Sequence, residues 1–421
     1  MLFAPGRHTI VAQSSIPEFA ADQDPFDKYY IPGRWAAAAL RPHTTLIVPD
    51  HSAIRAHITF LEHTLGQYTR QKLHTLYTAD KAYLLDDDIN ASLLHEVRAV
   101  IATHLRNGRG TTIAPYRANR PFHTWRNQII ETDVDHIGDD EDFISRYGNK
   151  SVLHRNIARP KEPALLETRD GSINIPKGYI CDTQEDLVQA FERLRQEGIQ
   201  EMIIKPTHGS TGEGIQKVNT LVEVAAYTWP TGPFVLEACL PLDTDDDGKE
   251  VNCSLQFIGQ HIIGEPTAQI INGTHWEGNV VPGLSPASFA SDAQRQAQAA
   301  LHILATKGHK GPGGFDFLLA RGKAFLVDPN IGRYTGAHVP KYWSEYFAPG
   351  KAWATLEMPH HLSVEGAWEK LCRKEIAYDH DRQHGVFPIC HLEGMWSMHI
   401  AIAKDARSAY RMIMEAKSHL S

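Results

Sequence analysis

The segment 315–330, FDFLLARGKAFLVDPN, constrains the fold more than any other part of this sequence. Two apolar runs flank the turn residues ARGK, so the segment predicts a β-hairpin centred near Gly322. Asp316 and Asp328 stand six residues on either side of that centre. We therefore expect their carboxylates to face each other across the strands, with Cβ atoms about 5 Å apart. Asn330 lies two residues further on and shares that face.

Two opposed carboxylates repel each other unless a cation lies between them. Asp316, Asp328 and Asn330 offer only oxygen ligands, which suit Mg²⁺, with Mn²⁺ as the alternative ion. The competing interpretation is a set of solvated strand residues. Arg333 follows three residues later, and its guanidinium could hold an acyl phosphate or an oxyanion beside the metal. Without those neighbours, it would be interpreted as a surface arginine.

A second hairpin is predicted by IIKPTHGSTGEGIQKV, in which a strand carries Lys205 and a loop of small residues follows. Small residues let backbone N–H groups close over phosphates, while the lysine supplies a positive charge. No GK[ST] ends the loop, so it is not a Walker A loop. The alternative is a flexible turn. The residues expected to contact a nucleotide here are Lys205, Gly209, Ser210, Thr211 and Gly212.

The strand FVLEACLP indicates a nucleobase contact. Backbone groups near Ala238 and Leu240 could meet an adenine edge, and Glu237 could accept from its exocyclic amine. Glu250 could hold the ribose. Each glutamate is equally compatible with a residue at the rim of a site.

The acidic run DTDDDGKE has the residue order of a calcium loop. Asp243, Asp245, Asp247 and Gly248 match DxDxDG, but the twelfth position is Ser254 instead of glutamate. Two interpretations are therefore open, a loose Ca²⁺ site and a solvated acidic turn. The missing glutamate favours the solvated turn.

The spacing of apolar residues differs between regions of the chain. The first ~135 residues alternate strand-like runs with helical patterns such as NASLLHEVRAVIATHL, which predicts an α/β layer with a parallel sheet. Short apolar runs after residue 230 are typical of an antiparallel sheet. A helix is predicted after Thr183, where Thr183 and Asp186 form a capping box and Gly198 ends the helix.

From about residue 149 to 336, these segments resemble the ATP-grasp superfamily of carboxylate–amine ligases. The resemblance implies Lys150 and Lys205 as the two nucleotide lysines and Asp316, Asp328 and Asn330 as the metal ligands. This sequence departs from the family at Asp328, where glutamate is usual, and in the longer separation of the two lysines. The termini are similar, more weakly, to those of pheganomycin-type peptide ligases.

The resemblance implies an α/β (α+β) architecture, with ATP held between two α+β subdomains. The expected divisions are an N-terminal α/β domain over 1–140, a first ATP-grasp subdomain with the glycine-rich loop over 141–235, and a second over 236–421. The implied reaction joins a small carboxylate to an amine, such as amino acids or short peptides, through an acyl phosphate with release of ADP and phosphate. The alternatives are an inactive ATP-binding regulator and a kinase that stops at phosphoryl transfer.

Charge and composition exclude other classes of protein. Lys and Arg number 42 against 50 Asp and Glu, so the chain lacks the basic footprint of a nucleic-acid binder. No apolar run approaches the roughly 18–20 residues of a membrane span, and no signal peptide is evident. Five scattered cysteines without CxxC spacing suit reduced thiols in the cytoplasm. The oligomeric state stays open, with a homodimer among the expected outcomes.

Overall fold

The chain is described here from a computed structural model that covers residues 2–4, 6–12, 31–66, 73–78, 91–115, 120–129, 134–168, 170–207, 214–228, 232–245, 248–273, 275–283, 285–359, 361–394 and 396–420. It divides into two compact units. The first unit comprises Met1–Glu141, Gly278–Pro282 and Gly332–Ser421, and the second comprises Asp142–Glu277 and Gly283–Ile331. The domain boundaries predicted near residues 140 and 235 stay predictions.

Strands and helices alternate along much of the chain. The strands are β1 His8–Ala12, β2 Thr44–Pro49, β3 His74–Thr78, β4 Thr111–Pro115, β5 Val134–His136, β6 Arg155–Asn156, β7 Gly178–Cys181, β8 Met202–Pro206, β9 Gln216–Val218, β10 Phe234–Ala238, β11 Asn252–Ile258, β12 His261–Asn272, β13 His275–Val281, β14 Pro312–Ala320, β15 Lys323–Ile331, β16 Ala352–Pro359, β17 Gly385–His391 and β18 Trp396–Ala403. The helices are α1 Ile31–Ala39, α2 Ser52–Thr64, α3 Ala91–Arg106, α4 Arg120–Asn127, α5 Glu141–Tyr147, α6 Gln184–Gln196, α7 Leu221–Ala226, α8 Ala287–Thr306, α9 His338–Phe347, α10 Val364–Arg373 and α11 Ala406–Leu420, with a 3₁₀ turn at Lys150–Leu153. Among the described residues, no helix combines the length and apolar character needed to cross a membrane.

The first unit contains the parallel sheet predicted for the N-terminal region. Its strand order is β3-β2-β1-β4-β5, and every neighbouring pair is parallel. Helix α3 packs Leu93, Val97 and Ile101 into the same core as Ile10 and Ile113 of the sheet. The same unit also holds the antiparallel strands β16, β18 and β17.

Buried histidines in the first unit predict a loss of stability in acid. His57 lies in α2 and is fully buried; its Nε2–H donates to the Ile389 carbonyl at 3.2 Å. Burial, with a contribution from His391, lowers the pKa of His57 from 6.5 to about 3. As the pH falls, His57 is therefore protonated in the unfolded chain at a higher pH than in the folded protein. The stability that neutral His57 contributes is fully present above pH 6.5 and is lost as the pH falls from 6.5 towards 3.

We expect His57 to contribute a loss of about 2 kcal/mol in the free energy of unfolding between pH 7.5 and 5. Urea unfolding of the wild type and of His57→Gln at both pH values measures this contribution. The exposed His95→Gln variant is the control and should keep the wild-type pH dependence. An unchanged pH dependence in His57→Gln would contradict the assignment.

The second unit is built from two sheets. One has the order β6-β7-β10-β8-β9, and the other contains β15-β14-β11-β12 in antiparallel arrangement. The capping box between Thr183 and Asp186 is confirmed at the start of α6, and Gly198 follows the helix with a φ of 87°. Helix α8 buries its apolar face in the core beneath β11 and β14. The two hairpins predicted from the sequence, β8–β9 and β14–β15, are both present in this unit.

Candidate functional site

The carboxylate pair depends on an irregularity in the β14–β15 hairpin. Asp316 and Asp328 are directly paired, as expected. Near the turn, however, Ala320 pairs with Lys323, and the register shifts by one residue after the pair of Phe317 with Leu326. Continued without a break, the register near the turn would place Asp316 opposite Val327. Val327 is instead an extra residue in β15, and this β-bulge places Asp328 opposite Asp316.

Asp316 is held in place by polar groups from neighbouring strands. The Ser254 hydroxyl donates to Asp316 Oδ1 at 2.6 Å, and the Asn330 amide donates to Asp316 Oδ2 at 3.2 Å. Gln269 also hydrogen-bonds to this carboxylate. Burial and the Asp328 carboxylate nevertheless raise the pKa of Asp316 to about 6. Ionisation of both carboxylates at once is therefore disfavoured at this place.

Both predicted nucleotide lysines lie next to the bulge in the hairpin. Lys150 Nζ lies 3.2 Å from Asp328 Oδ1, and Lys205 Nζ donates to the Val327 carbonyl at 3.5 Å. Lys150 begins the 3₁₀ turn, and its backbone N–H donates to the Thr207 carbonyl just beyond β8. The structure thus brings together two lysines that are 55 residues apart in the sequence.

A buried group of three charged or ionisable side chains lies beside Lys205. Lys205 Nζ is 2.5 Å from Glu237 Oε1, and His154 Nε2 is 3.0 Å from Glu237 Oε2. The Glu237 side chain is only 3% exposed. Burial alone would raise its pKa, but Lys205 and His154 hold the pKa of Glu237 below its ordinary value. The carboxylate is therefore ionised and positions the lysine.

The other residues predicted to contact the base and ribose have less defined surroundings. The Ala238 N–H donates to the Lys177 carbonyl, so Ala238 can offer only its carbonyl to a ligand. Leu240 follows two residues beyond the end of β10. Glu250 is exposed and forms a β-bridge with Thr244. Their roles stay predictions.

The roles predicted for the phosphate loop and for Arg333 stay predictions. Gly209, Ser210, Thr211 and Gly212 lie outside the described residues. Arg333 belongs to the first unit, whereas the carboxylates and lysines belong to the second.

Part of the acidic run has a structural use. The Asp243 carboxylate accepts from the backbone N–H groups of Arg321 at 3.1 Å and Gly322 at 2.7 Å. Both turn residues have positive φ, 52° and 73°, so this carboxylate stabilises a turn that costs backbone strain at Arg321. Asp245 accepts from the Lys249 N–H within its own turn, and Asp247 lies outside the described residues.

The residues of the hairpin fit a divalent cation. Asp316 and Asp328 are opposed, and burial together with the Asp328 carboxylate raises the pKa of Asp316, so a cation between the two carboxylates would relieve their repulsion. Asn330 adds an amide at the same place, and all three side chains are only partly buried. Oxygen donors that leave coordination positions open are the set preferred by Mg²⁺ when it also binds phosphates.

The chain is similar over its full length to several solved ligase structures. An N5-carboxyaminoimidazole ribonucleotide synthetase in complex with ADP has a TM-score of 0.59 at 11% identity, covering 100% of this chain and 99% of that chain. Biotin carboxylase from Campylobacter jejuni has a TM-score of 0.56 at 12% identity, covering 99% and 91%. Phosphoribosylamine–glycine ligase from Thermotoga maritima has a TM-score of 0.53 at 10% identity, covering 98% and 96%.

These structures define the class of architecture: the chain has the ATP-grasp fold, an α/β fold, as the sequence predicts. No family model matches the chain. A curated relative, the butirosin acyl-carrier protein–L-glutamate ligase of Niallia circulans, is 26% identical over 192 residues. That match covers 41% of this chain and 43% of the relative, so it spans less than half of either protein.

Proposed function

We propose that this protein is an ATP-dependent carboxylate–amine ligase that forms an amide through an acyl phosphate. The observation that carries this proposal is the convergence of Lys150 and Lys205 on residues 327–328, beside the paired carboxylates of the hairpin. Such a site combines positive charges for phosphate with ligands for a divalent ion, and that combination serves phosphoryl transfer. The L-glutamate ligase named above agrees with this class of reaction.

The nucleotide proposed for this site is ATP with Mg²⁺, or with Mn²⁺ in its place. Asp316, Asp328 and Asn330 would hold the ion, which when bound offsets phosphate charge during transfer. Lys150 and Lys205 would bind phosphate oxygens. The loop residues Gly209, Ser210, Thr211 and Gly212 would close over the phosphates, the backbone at Ala238 and Leu240 would meet adenine, and Glu250 would hold the ribose.

The proposed chemistry has two steps. A substrate carboxylate oxygen attacks the γ-phosphorus, and ADP leaves with the electrons of the broken P–O bond. The amine nitrogen then attacks the acyl carbon, the phosphate leaves, and the nitrogen gives up a proton. Arg333 would stabilise the negative charge that develops on the carbonyl oxygen. The site must exclude water because an acyl phosphate otherwise hydrolyses.

Substrate-dependent ADP release tests the proposal. Pairs of amino acids and short peptides are screened with ATP and Mg²⁺, and the products are analysed for a new amide by mass spectrometry. Hydroxylamine in place of the amine should trap the acyl phosphate as a hydroxamate. An Asp316→Asn protein is the negative control.

The same screen separates the alternatives. A stable phosphorylated product without an amide would identify a kinase. ATP binding without ADP release for any pair would identify a nucleotide-binding regulator. Either result would overturn the ligase assignment.

Replacing Arg333 should impair chemistry more than nucleotide binding. We expect Arg333→Ala to lower kcat by roughly 10²-fold, because one lost oxyanion donor costs about that much. Arg333→Lys should also be impaired, since an ammonium group lacks the planar fork of donors. ATP-analogue affinity and amide formation are measured side by side. A collapse of affinity with normal turnover at saturating ATP would make Arg333 a nucleotide-binding residue instead.

A further inference from the structure

A cluster of metal-binding side chains lies in the first unit, in a segment that the proposed ligase chemistry does not use. His123 lies in the first turn of α4, His136 ends β5, and Asp140 follows four residues later. One ligand atom from each residue lies within 4.8 Å of the others. A modest movement of these side chains would bring all three atoms onto one ion.

The topology places this cluster at the carboxyl edge of the parallel sheet. Strands β4 and β5 pair in parallel, with Ile113 opposite His136. Helix α4 follows the carboxyl end of β4, so His123 lies near the same edge. In open parallel sheets, this is the edge where small ligands bind.

The His123 ring is oriented as in a metal ligand. Its Nε2 lies 3.2 Å from the backbone carbonyl of Asp139, a residue that is 1% exposed. A carbonyl can only accept, so Nε2 carries the proton and Nδ1 keeps its lone pair. Metal-bound histidines commonly donate their second nitrogen to a backbone carbonyl in this way. The buried Phe122 ring lies 5.5 Å from the His123 ring and 6.0 Å from the His136 ring.

We propose that His123, His136 and Asp140 bind a divalent transition ion of the Zn²⁺ type. Two imidazoles and one carboxylate form a donor set that favours such ions over Mg²⁺, in contrast to the oxygen-only ligands of the hairpin. Three protein ligands leave a coordination position open for water or for a polar atom of a small molecule.

Arg126 competes with the ion. Its Nη1 lies 2.8 Å from His136 Nδ1 and donates to that nitrogen. A guanidinium at this distance repels a cation, so the side chain must withdraw from His136 when the ion binds. Arg126 is only partly buried, which leaves room for this movement. Removing its charge should therefore strengthen ion binding.

Zinc binding to the whole 421-residue chain, stripped of metal and free of nucleotide, tests the proposal. Calorimetry with Zn²⁺ measures affinity, and the visible absorption of Co²⁺ reports nitrogen coordination. We expect His123→Ala and Asp140→Asn each to weaken Zn²⁺ binding at least about 10-fold. Asp140 is exposed, so its variant should fold normally. Arg126→Gln should bind Zn²⁺ several-fold more tightly.

Two control variants locate the bound ion. The exposed variants His95→Ala and Glu192→Gln, which lie outside both candidate ion sites, should bind Zn²⁺ with wild-type affinity. Unchanged affinity in His123→Ala or Asp140→Asn, a matching loss of affinity in His95→Ala, or weaker binding in Arg126→Gln would each overturn the proposal. The measurement needs no ligase substrate, so its outcome is independent of the proposed function.

Discussion

Neutralising either carboxylate of the hairpin pair should reduce ADP release by roughly 10²- to 10³-fold or more. Asp316→Asn and Asp328→Asn each remove one negative charge from the proposed ion site while keeping the size of the side chain. Asp328→Asn also removes the ionic partner of Lys150, 3.2 Å away. Binding of an ATP analogue should persist more than turnover, because Lys205 does not depend on either carboxylate. Steady-state ADP release and analogue affinity are the two measurements.

Stability separates this effect from a loss of folding. Burial and repulsion by Asp328 raise the pKa of Asp316, and Asp316→Asn removes both costs, so its free energy of unfolding should equal or exceed that of the wild type. The control is Glu192→Gln, which neutralises an exposed carboxylate on α6 of the same unit and should leave both properties unchanged. Near-wild-type ADP release in either aspartate variant at ordinary Mg²⁺ concentrations would contradict the assignment of Asp316 and Asp328 as metal ligands.

The carboxylate pair could be predicted from the sequence, but the bulge that creates it could not. A regular hairpin turning at Arg321 and Gly322 would pair Asp316 with Val327. The apolar and polar pattern of β15 does not specify which residue bulges, because Val327 fits either register. The Val327 carbonyl at the bulge accepts from the Lys205 ammonium at 3.5 Å, a contact with another strand that the hairpin sequence alone does not contain. The symmetry of the sequence about Gly322 therefore identified Asp316 and Asp328 as a cross-strand pair, although the regular hairpin assumed for it differs from the bulged hairpin observed.

Long-range partners were beyond the reach of spacing rules. His154 and Glu237 are 83 residues apart, and no periodicity links them. Ser254 and Gln269, which hydrogen-bond to Asp316, lie on other strands and carry no motif. By contrast, the parallel sheet and the α6 capping box depend on contiguous patterns, which is why both were predictable.

Lys205→Met should destabilise the protein even without nucleotide, by about 3–5 kcal/mol. The substitution keeps the length of the side chain but leaves the Glu237 carboxylate, 3% exposed, with His154 as its remaining described ionic partner. Burying a charge that has lost its main partner is costly, and this cost exceeds what the ion pair itself contributes. Urea unfolding measures the change. Adding Glu237→Gln should recover part of the loss, because the double variant no longer buries that charge.

An exposed ion pair in the same unit provides the matched comparison. Lys177 Nζ lies 2.8 Å from Glu197 Oε2, but the lysine side chain is 59% exposed, so Lys177→Met should cost at most about 1 kcal/mol of stability.

The difference in stability between Lys205→Met and the wild type should depend on pH with a definite sign. In Lys205→Met, burial should raise the pKa of Glu237, whereas in the wild type that pKa is lowered. The difference in stability between the two proteins should therefore shrink as the pH falls from 8 towards 4.5. Equal costs for the two lysine substitutions, at every pH, would show that Glu237 is solvated and does not depend on Lys205.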